Sequence, residues 1–289
     1  MRTVLLGPNG QLGTDIRAVN AARAKPFDIL CIDRVRLDLS EIEPAIDVLR
    51  GIDFGCLINC SSYHKTDDVE RNAQLAFAIN THLPQALARL CAEKGARLVH
   101  ISTDYVFGGQ AKRKPLAEDD GKAPLNVYGA SKGMGEDLVL RTQADALILR
   151  VASLFGVAGA SGKGGNFVET MIRFGREKGH LRVVADQTMS PTSTADIATA
   201  MFALLDRQAP HGVWHVVNSG SATWHDFATE IVKRAKIAVK VEAISSAEFP
   251  TPATRPPYSV LDNAKLTAAI GPMRPWQEAL DSYLAAKGY

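Results

Sequence analysis

Short apolar segments alternate with longer amphipathic segments through the first half of the chain. The short segments are rich in Val, Ile and Leu, which is typical of strands buried on both faces of a parallel sheet. The amphipathic segments are long enough for right-handed crossover helices. The pattern predicts strands at residues 3–6, 28–32, 56–60, 97–101 and 146–151, and helices at 11–23, 41–50, 73–94 and 127–141. We therefore predict an α/β fold with a doubly wound parallel sheet.

The pattern changes after residue 151. The glycine-rich stretch 156–165 is typical of a mobile loop rather than a crossover connection. Beyond it, the spacing predicts helices at 167–178, 194–207, 224–235 and 275–286, with short strands at 181–185 and 212–217. We predict a doubly wound domain over residues 1–151 and a smaller α/β region over 152–289. We expect the unit 194–217 to return to the main sheet, and the proline-rich segment 250–257 to cover the cleft.

Composition narrows the class of protein. Of the 289 residues, 46% are hydrophobic and 22% are charged, close to the averages for soluble globular domains. No apolar run reaches the roughly 20 residues of a membrane span, and no signal peptide is recognisable. The net charge of +2 is too small to indicate a nucleic-acid partner. We expect a soluble, cytoplasmic protein with no membrane or nucleic-acid partner.

The four cysteines lie inside apolar segments. This placement favours reduced core thiols in a cytosolic protein. Cys56 and Cys60 leave a zinc site as an alternative, although no second Cys/His pair has ligand spacing. The acidic stretch 64–70, with His64, Asp67, Asp68 and Glu70, is a second metal candidate, but a charged loop that leads into a helix is the favoured interpretation. We predict no metal.

Three glycines follow the first predicted strand directly. Gly7, Gly10 and Gly13 stand where a strand turns into a helix. A side chain there would block the approach of a pyrophosphate to the backbone, and the amides at the start of a helix point towards an anion. A tight turn without a ligand is the alternative, because three spaced glycines alone are a weak signal. The strand before and the helix after favour a dinucleotide site in a Rossmann domain.

Acidic residues after the second strand extend this site. Asp33 comes 20 residues after Gly13, where a carboxylate can accept hydrogen bonds from the adenosine ribose diol. The neighbouring Arg34 can accept a 2'-phosphate instead, so the sequence leaves both NADH and NADPH open. Asp38 and Leu39 can line the adenine pocket. Capping of the next helix is the alternative role for Asp38.

A second motif predicts proton transfer. Tyr128 and Lys132 are one turn apart on a predicted helix, next to the strand that ends in Ser102 and Thr103. In open α/β sheets, ligands bind at this carboxyl edge. In the reaction we predict, a nicotinamide gives hydride to a ketone, and Tyr128 protonates the oxygen. The Lys132 ammonium would lower the pKa of Tyr128, Thr103 would hold the carbonyl, and Ser102 would support Thr103 or the backbone.

These stretches resemble the extended short-chain dehydrogenase/reductases, and within them the dTDP-4-dehydrorhamnose reductase family. The resemblance covers nearly the whole chain. It rests on residues 7–13 (GPNGQLG), 38–40 (DLS), 100–107 (HISTDYVF), 124–132 (PLNVYGASK), 166–167 (NF), 184–187 (VADQ), 190–192 (SPT) and 250–256 (PTPATRP). It implies an NADPH- or NADH-dependent enzyme that reduces a nucleotide-linked 4-keto-6-deoxy sugar, with that substrate bound by the second region and a homodimer as the expected assembly.

The resemblance also implies roles for individual residues. The catalytic set comprises Thr103, Tyr128 and Lys132. The cofactor contacts comprise Gly7, Asn9, Gly10, Gln11, Leu12, Gly13, Asp33, Arg34, Asp38, Leu39, Ser61, Ser62 and Tyr63, together with Tyr128 and Lys132. The substrate contacts comprise Thr103, Asp104, Val106, Ser153, Asn166, Gln187 and Arg255, of which Arg255 is a natural partner for the diphosphate. A surface ion pair is the alternative role for Arg255.

Two stretches depart from the family pattern. The chain reads RVASLFG over 150–156, which places Ser153 where the family usually has a tryptophan against the sugar. It reads CSSYHKTD over 60–67, which makes the region near the nicotinamide more polar. These departures leave the accepted sugar open. Two further functions also stay open: an epimerase or dehydratase of the same superfamily, and a non-catalytic nucleotide-binding regulatory subunit such as the β subunit of methionine adenosyltransferase.

Overall fold

A parallel sheet forms the centre of the computed structural model, which describes residues 2–111, 113–142, 144–159 and 165–289. The strands are β1 (Arg2–Leu6), β2 (Asp28–Ile32), β3 (Cys56–Asn59), β4 (Arg97–Thr103), β5 (Ala146–Val151), β6 (Leu154–Phe155), β7 (His180–Val184), β8 (Thr188–Met189), β9 (Thr192–Ser193), β10 (Gly212–His215), β11 (Ala222–Thr223) and β12 (Lys240–Ile244). Among these residues the central sheet has six strands in the order β10-β5-β4-β3-β1-β2. Every pairing within it is parallel.

Helices cover both faces of this sheet. They are α1 (Gln11–Ala21), α2 (Ile42–Arg50), α3 (Thr66–Val69), α4 (Ala73–Phe77), α5 (Leu83–Lys94), α6 (Val127–Arg141), α7 (Phe167–Lys178), α8 (Thr194–Asp206), α9 (Trp224–Arg234), α10 (Ala264–Ile270) and α11 (Trp276–Lys287). On one face α1 and α8 pack against Leu5 and Val99. On the other face α2, α5 and α6 pack against Val4, Leu57 and Ile148. The predicted doubly wound α/β fold is confirmed.

The sheet order locates a ligand-binding edge. From β1 the chain passes to β2 on one side, and it then crosses to β3 on the other side. The carboxyl ends of β1 and β3 diverge at this switch point, and the crevice between them is where open α/β sheets bind ligands. Gly7 follows β1 and Cys60 follows β3, so both residues lie at this edge.

A second hydrophobic cluster lies beyond β5. Helices α7, α9 and α11 pack around Phe155, Phe227 and Trp276, with β7 beside them. Strand β12 pairs with β7 in parallel, and β6 pairs with β9. The chain re-enters the central sheet through α8 and β10, because β10 pairs with β5 at the sheet edge. The division into regions 1–151 and 152–289 stays a prediction.

Most predicted elements agree with the structure to within two residues at either end. Helices α6 and α7 and strand β5 have the predicted bounds. The predicted helix 73–94 is instead α4, a π-helical turn over Ala78–His82, and α5. The two-residue strands β6, β8, β9 and β11 were not predicted, because so short a strand carries no periodicity. Of the predicted loop 156–165, residues 160–164 lie outside the described residues.

Candidate active site

The turn after β1 brings the backbone of Gly7 close to the chain that follows β3. Gly7 has φ of +75°, and a Cβ there would lie 3.2 Å from the carbonyl carbon of Cys60. A Cβ on Gly13 would overlap the carbonyl oxygen of Gly7. Gly10 is different, because it is the N-cap of α1 and a Cβ there would only touch that oxygen at 3.5 Å. Gly7 and Gly13 are therefore needed by the fold, whereas Gly10 is not.

The other residues of this turn have distinct positions. Asn9 is exposed, and its Nδ2 donates to Oδ2 of Asp33 at 3.2 Å. Leu12 is buried in the core, so only its backbone is available to a cofactor. Gln11 is buried and accepts a hydrogen bond from Nδ2 of Asn166 at 3.3 Å. Only Asn9 of these three presents a side chain to solvent.

The end of β2 presents polar groups beside the turn. Oδ1 of Asp33 accepts hydrogen bonds from the backbone amides of residues 35 and 36. Arg34 is exposed. Asp38 accepts hydrogen bonds from the amide and hydroxyl of Ser40, which lower the pKa of its carboxyl group. Helix α2 starts at Ile42 without a side-chain cap, so the alternative that Asp38 caps this helix is wrong.

Thr103 closes β4 and is held by its neighbours. Its Oγ1 donates to Oδ1 of Asp104 at 3.1 Å and accepts from the amide of Tyr105 at 3.2 Å. Asp104 is buried, and its other oxygen accepts from Oγ of Ser259 at 2.5 Å. Burial raises the pKa of Asp104 to about 6 despite these two hydroxyl donors. The carboxyl group therefore fixes the Thr103 side chain in the crevice.

Tyr128 lies in the first turn of α6, where the side chain of Asn126 caps the helix by accepting from the amide of Gly129 at 2.8 Å. Its hydroxyl interacts with the side chains of Thr103 and Ser62, which favour the ionised phenol. The predicted lowering of its pKa is wrong: burial outweighs these interactions and raises the pKa of Tyr128 to about 12. The phenol therefore keeps its proton at neutral pH, as a proton donor must.

Lys132 is almost completely buried one turn further along α6. Its Nζ donates to the carbonyl of Ile101 at 2.6 Å and lies 3.2 Å from Nε2 of His100. Burial lowers the pKa of Lys132 to about 8, against the opposing effect of Glu136. Ser102 does not bond to Thr103, because its hydroxyl donates to Glu136 instead.

The π-helical turn Ala78–His82 ties the crevice to α6 through the buried Asn80. The Oδ1 of Asn80 accepts from the amide of Tyr63 at 2.9 Å and from the hydroxyl of Ser62 at 3.2 Å. Its Nδ2 donates to the carbonyl of Tyr63 and to Oγ of Ser131. Asn80 thus fixes the loop after β3 beside the residue that precedes Lys132. Sequence reasoning missed Asn80, since a single asparagine in an apolar helix has no distinctive spacing.

Arg255 reaches the crevice from the proline-rich segment. Its Nη2 donates to Oδ2 of Asp67 at 2.7 Å. Within the part of the chain that the structure describes, its Nη1 is buried and has no hydrogen-bond partner. The guanidinium therefore has a structural partner and a second nitrogen without a hydrogen bond, which a ligand would reach only after a local rearrangement.

Comparison with known proteins agrees with this geometry. The family model described as "RmlD substrate binding domain" matches residues 1–288. The dTDP-4-dehydrorhamnose reductase of Mycobacterium tuberculosis is 37% identical over 290 residues, covering 99% of this chain and 93% of that relative. The chain belongs to the dTDP-4-dehydrorhamnose reductase family. The family consists of oxidoreductases, so the prediction of an enzyme is confirmed.

Two further members of the family show its range. The crystal structure of the reductase from Bacillus anthracis, solved in complex with NADP, superposes with a TM-score of 0.91 at 35% identity and 99% coverage of both chains. A Streptomyces antibioticus protein named as a probable dTDP-4,6-dihydroxy-2-methyloxan-3-one 4-ketoreductase is 36% identical over 283 residues, covering 97% of this chain and 93% of the relative. These names include different keto sugars.

Three residues that the reductase family resemblance assigned to the substrate are occupied or buried. Asn166 caps α7, and its Nδ2 donates to Tyr283, to Gln11 and to the carbonyl of residue 156. Val106 is completely buried in a small apolar cluster, so a contact by its side chain would need a rearrangement. Gln187 donates to the hydroxyl of Ser246 at 2.8 Å. Their substrate roles stay predictions.

Ser153 has an unusual backbone conformation. It has φ of +44°, a left-handed conformation that is uncommon for a residue with a side chain. It lies between β5 and β6, and its carbonyl accepts from the amide of Thr192 at 3.3 Å. The short strands β6 and β9 hold this turn in place. A substrate contact by Ser153 also stays a prediction.

The acidic stretch 64–70 makes structural contacts in this protein. Asp67 binds Arg255, and Oε1 of Glu70 accepts from the amide of Val127 at the start of α6. Among residues 2–111, 113–142, 144–159 and 165–289, no three His, Cys, Asp or Glu side chains are arranged to hold a metal. The cysteines are free thiols, of which Cys56 and Cys91 are buried. No helix in these ranges is both long and apolar enough to cross a membrane.

Proposed function

We propose that this protein uses NADPH or NADH to reduce the 4-keto group of a nucleotide-linked 4-keto-6-deoxy sugar. The leading substrate is dTDP-4-dehydro-L-rhamnose, which would give dTDP-L-rhamnose. The observation that carries the proposal is the interaction of the Tyr128 hydroxyl with Thr103 at the carboxyl edge of the sheet. It joins a phenol that keeps its proton to a hydroxyl that can hold the same carbonyl oxygen.

The cofactor is held by the crevice at the switch point. The backbone of Gly7, Gly10 and Gly13 leaves room for the pyrophosphate in front of the amides of α1. Asp33 faces the adenosine ribose, with Arg34 exposed beside it to accept a 2'-phosphate. The remaining contacts come from Asp38 and Leu39 near the adenine and from Ser61, Ser62 and Tyr63 near the nicotinamide. The bound cofactor supplies the hydride.

Side chains of the protein carry out the proton transfer. In the structure the Thr103 hydroxyl donates to Asp104. When the substrate binds, this hydroxyl donates to the substrate carbonyl instead. Tyr128 gives its proton to the carbonyl oxygen as that oxygen becomes an alkoxide. The Lys132 ammonium stabilises the phenolate that remains, and burial makes this charge effect stronger than it would be in water.

Residues 152–289 supply most of the nucleotide-sugar site. Arg255 is the leading contact for the diphosphate, because its Nη1 has no hydrogen-bond partner among the described residues and charge-assisted hydrogen bonds to phosphate are strong. Ser153 leaves more space beside the sugar than a tryptophan would. We expect the protein to act in the cytoplasm, and we expect a homodimer.

The decisive experiment mixes the purified protein with a dTDP-4-keto-6-deoxy sugar generated in situ as a mixture of C5 epimers. The absorbance of NADPH or NADH is then followed. We expect stoichiometric oxidation of the cofactor, and the faster of the two reactions identifies the preferred one. Turnover of the sugar without net loss of cofactor would indicate an epimerase or dehydratase. Tight cofactor binding without turnover of any keto sugar, together with copurification of a larger enzyme, would indicate a regulatory subunit.

A further inference from the structure

A buried chain of hydrogen bonds runs from the crevice to Lys132. The amide of Ser61 donates to Oδ1 of Asn59 at 3.0 Å. Nδ2 of Asn59 lies 3.2 Å from Nδ1 of His100, and Nε2 of His100 lies 3.2 Å from Nζ of Lys132. Asn59 and His100 are completely buried and Lys132 nearly so. Each group in the chain therefore depends on its protein neighbours for hydrogen bonds.

The first link determines the second. A backbone amide can only donate, so the atom of the Asn59 side chain that faces Ser61 must be the oxygen. The nitrogen of the same side chain then faces His100, and it can only donate. Nδ1 of His100 must therefore accept. A neutral imidazole that accepts at Nδ1 carries its proton on Nε2.

The proton on Nε2 points at Lys132. A free amine has a lone pair that can accept this hydrogen bond, whereas an ammonium has only donors. An ammonium on Lys132 places two donors face to face in either tautomer of His100. With the proton on Nε2, the N–H of His100 points at the N–H groups of Lys132. With the proton on Nδ1, the N–H of His100 points at the Nδ2 donor of Asn59. We propose that His100 is a positioning residue for Lys132, and that the chain Ser61–Asn59–His100 favours the free-amine form of the lysine side chain.

The other groups around Lys132 leave this preference in place. Cys60, after β3, is half-buried, and desolvation raises the pKa of its thiol to about 12. Glu136, on α6, raises the pKa of Lys132, but both its oxygens are bound by Arg150 at 2.9 and 2.8 Å, and its Oε2 also lies 3.5 Å from Nζ of Lys122. No carboxylate bonds directly to Nζ among the described residues. The lowered pKa of Lys132 agrees with this arrangement.

The consequence for the reaction rests on the proposed function. Lys132 stabilises a phenolate only as an ammonium, so the reductase works on the acidic side of the lysine pKa. By favouring the free amine, His100 brings that pKa down towards the pH at which the enzyme operates. Lys132 can then both take up and release a proton while Tyr128 gives its proton to the substrate and is protonated again.

The tautomer of His100 is the direct test, and it does not depend on activity. In protein labelled with ¹⁵N-histidine, the imidazole nitrogen shifts identify which nitrogen carries the proton. At about pH 9, one unit above the pKa of Lys132, we expect the proton of His100 on Nε2. A proton on Nδ1 overturns the proposal. His215 is an internal control, because its proton is expected on Nδ1. Its Nε2 faces the donor Nη1 of Arg150 at 3.3 Å, and its Nδ1 faces the carbonyl of Asp262 at 2.9 Å.

The signals are assigned with His100→Gln and His215→Gln. If His100→Gln does not fold, through-space contacts to the side-chain amide of Asn59 identify His100 in the unchanged protein. The kinetic test uses His100→Leu, which has no N–H to oppose the ammonium of Lys132, so the alkaline limb of its profile of kcat/KM against pH should move up by about one pH unit. A merely structural role of His100 would lower kcat/KM at every pH without changing the pH at which kcat/KM falls. A limb that stays in place contradicts the proposal, and His215→Gln should leave it unmoved.

Discussion

Arg150 and Glu136 form a bidentate ion pair that is sealed from solvent beneath the candidate active site. Nε of Arg150 lies 2.9 Å from Oε1 and Nη2 lies 2.8 Å from Oε2, with side-chain exposures of 3% and 0%. Burial by itself would raise the pKa of Glu136, but the hydrogen bonds and charge of Arg150 lower it. The hydroxyl of Ser102 donates to the same carboxylate. The pair therefore joins β5 and α6 to the end of β4, beside Thr103.

Removing one member of this pair should destabilise the fold strongly. Arg150→Met would leave the buried Glu136 carboxylate with only the Ser102 hydroxyl and the Lys122 ammonium, 3.5 Å from Oε2, as partners, and we expect the free energy of unfolding to fall by about 3–5 kcal/mol. Denaturant unfolding measures the loss. The control is Arg97→Met, whose ion pair with Asp145 is partly exposed, and which should cost about 1 kcal/mol or less. Equal losses in the two variants would show that burial does not set the energy of the Arg150 pair.

Two glycine substitutions should separate folding from cofactor binding. Gly13→Ala forces a methyl group into the Gly7 carbonyl, and we expect a loss of about 3 kcal/mol or more in unfolding free energy. Gly10→Ala has room for its methyl group and an ordinary backbone conformation, so its stability should change by about 1 kcal/mol or less. Its cofactor Kd should nevertheless rise, since in the proposed binding mode the methyl group would face the pyrophosphate. Unchanged cofactor affinity in Gly10→Ala would remove this turn from the proposed site.

Tyr128→Phe should separate chemistry from binding. The variant keeps the ring that packs edge-on against Tyr105 but has no proton to give. We expect kcat to fall by about two orders of magnitude or more, with little change in cofactor affinity. Steady-state kinetics and cofactor titration provide the two readouts. Tyr289→Phe is the control, because it removes an exposed phenol outside the proposed site and keeps the ring beside Arg176, and it should keep most of the activity. A Tyr128→Phe enzyme with normal turnover is incompatible with the mechanism.

The pH dependence should follow Lys132. Its pKa is lowered to about 8, so the ammonium that stabilises the phenolate is present below that pH and is lost as the pH rises through it. The kcat/KM for reduction should therefore fall above about pH 8. Tyr128, with a pKa of about 12, stays protonated across this range and does not set the limb. A profile that stays flat to pH 10, about two units higher, would show that Lys132 has no charge role in the rate-limiting step.

Arg255→Gln should weaken binding of the nucleotide sugar. Loss of the guanidinium removes the unpartnered Nη1, and we expect the substrate KM to rise by about tenfold or more while the cofactor KM changes by about twofold or less. Asp67→Asn is the matched control, because it weakens the ion pair but keeps the guanidinium. Its effect on the substrate KM should be smaller. If the two variants are equally impaired, the ion pair itself is what matters, and the residue has no separate diphosphate role.

The sequence was sufficient for the elements that have a period. Strand β5 and helices α6 and α7 have their predicted bounds because apolar runs and amphipathic spacing extend over whole elements. It also placed Tyr128 and Lys132 on one helix face, since residues four apart always share a face. Helix 73–94 was predicted in one piece because the π-helical turn at Ala78–His82 keeps the helical pattern of side chains while adding a residue to the turn.

Only the tertiary structure determined the pKa values and the hydrogen-bond partners of the groups in the crevice. The sequence predicted an ammonium that lowers the pKa of Tyr128, whereas burial raises that pKa to about 12. His100 and Asn59 are 41 residues apart, and their contact arises from the register of β3 beside β4. Periodicity along a chain fixes which residues face the core, because it depends on local geometry. Desolvation and hydrogen bonds between strands depend on which segments meet in space, so the proton positions became visible only in the folded molecule.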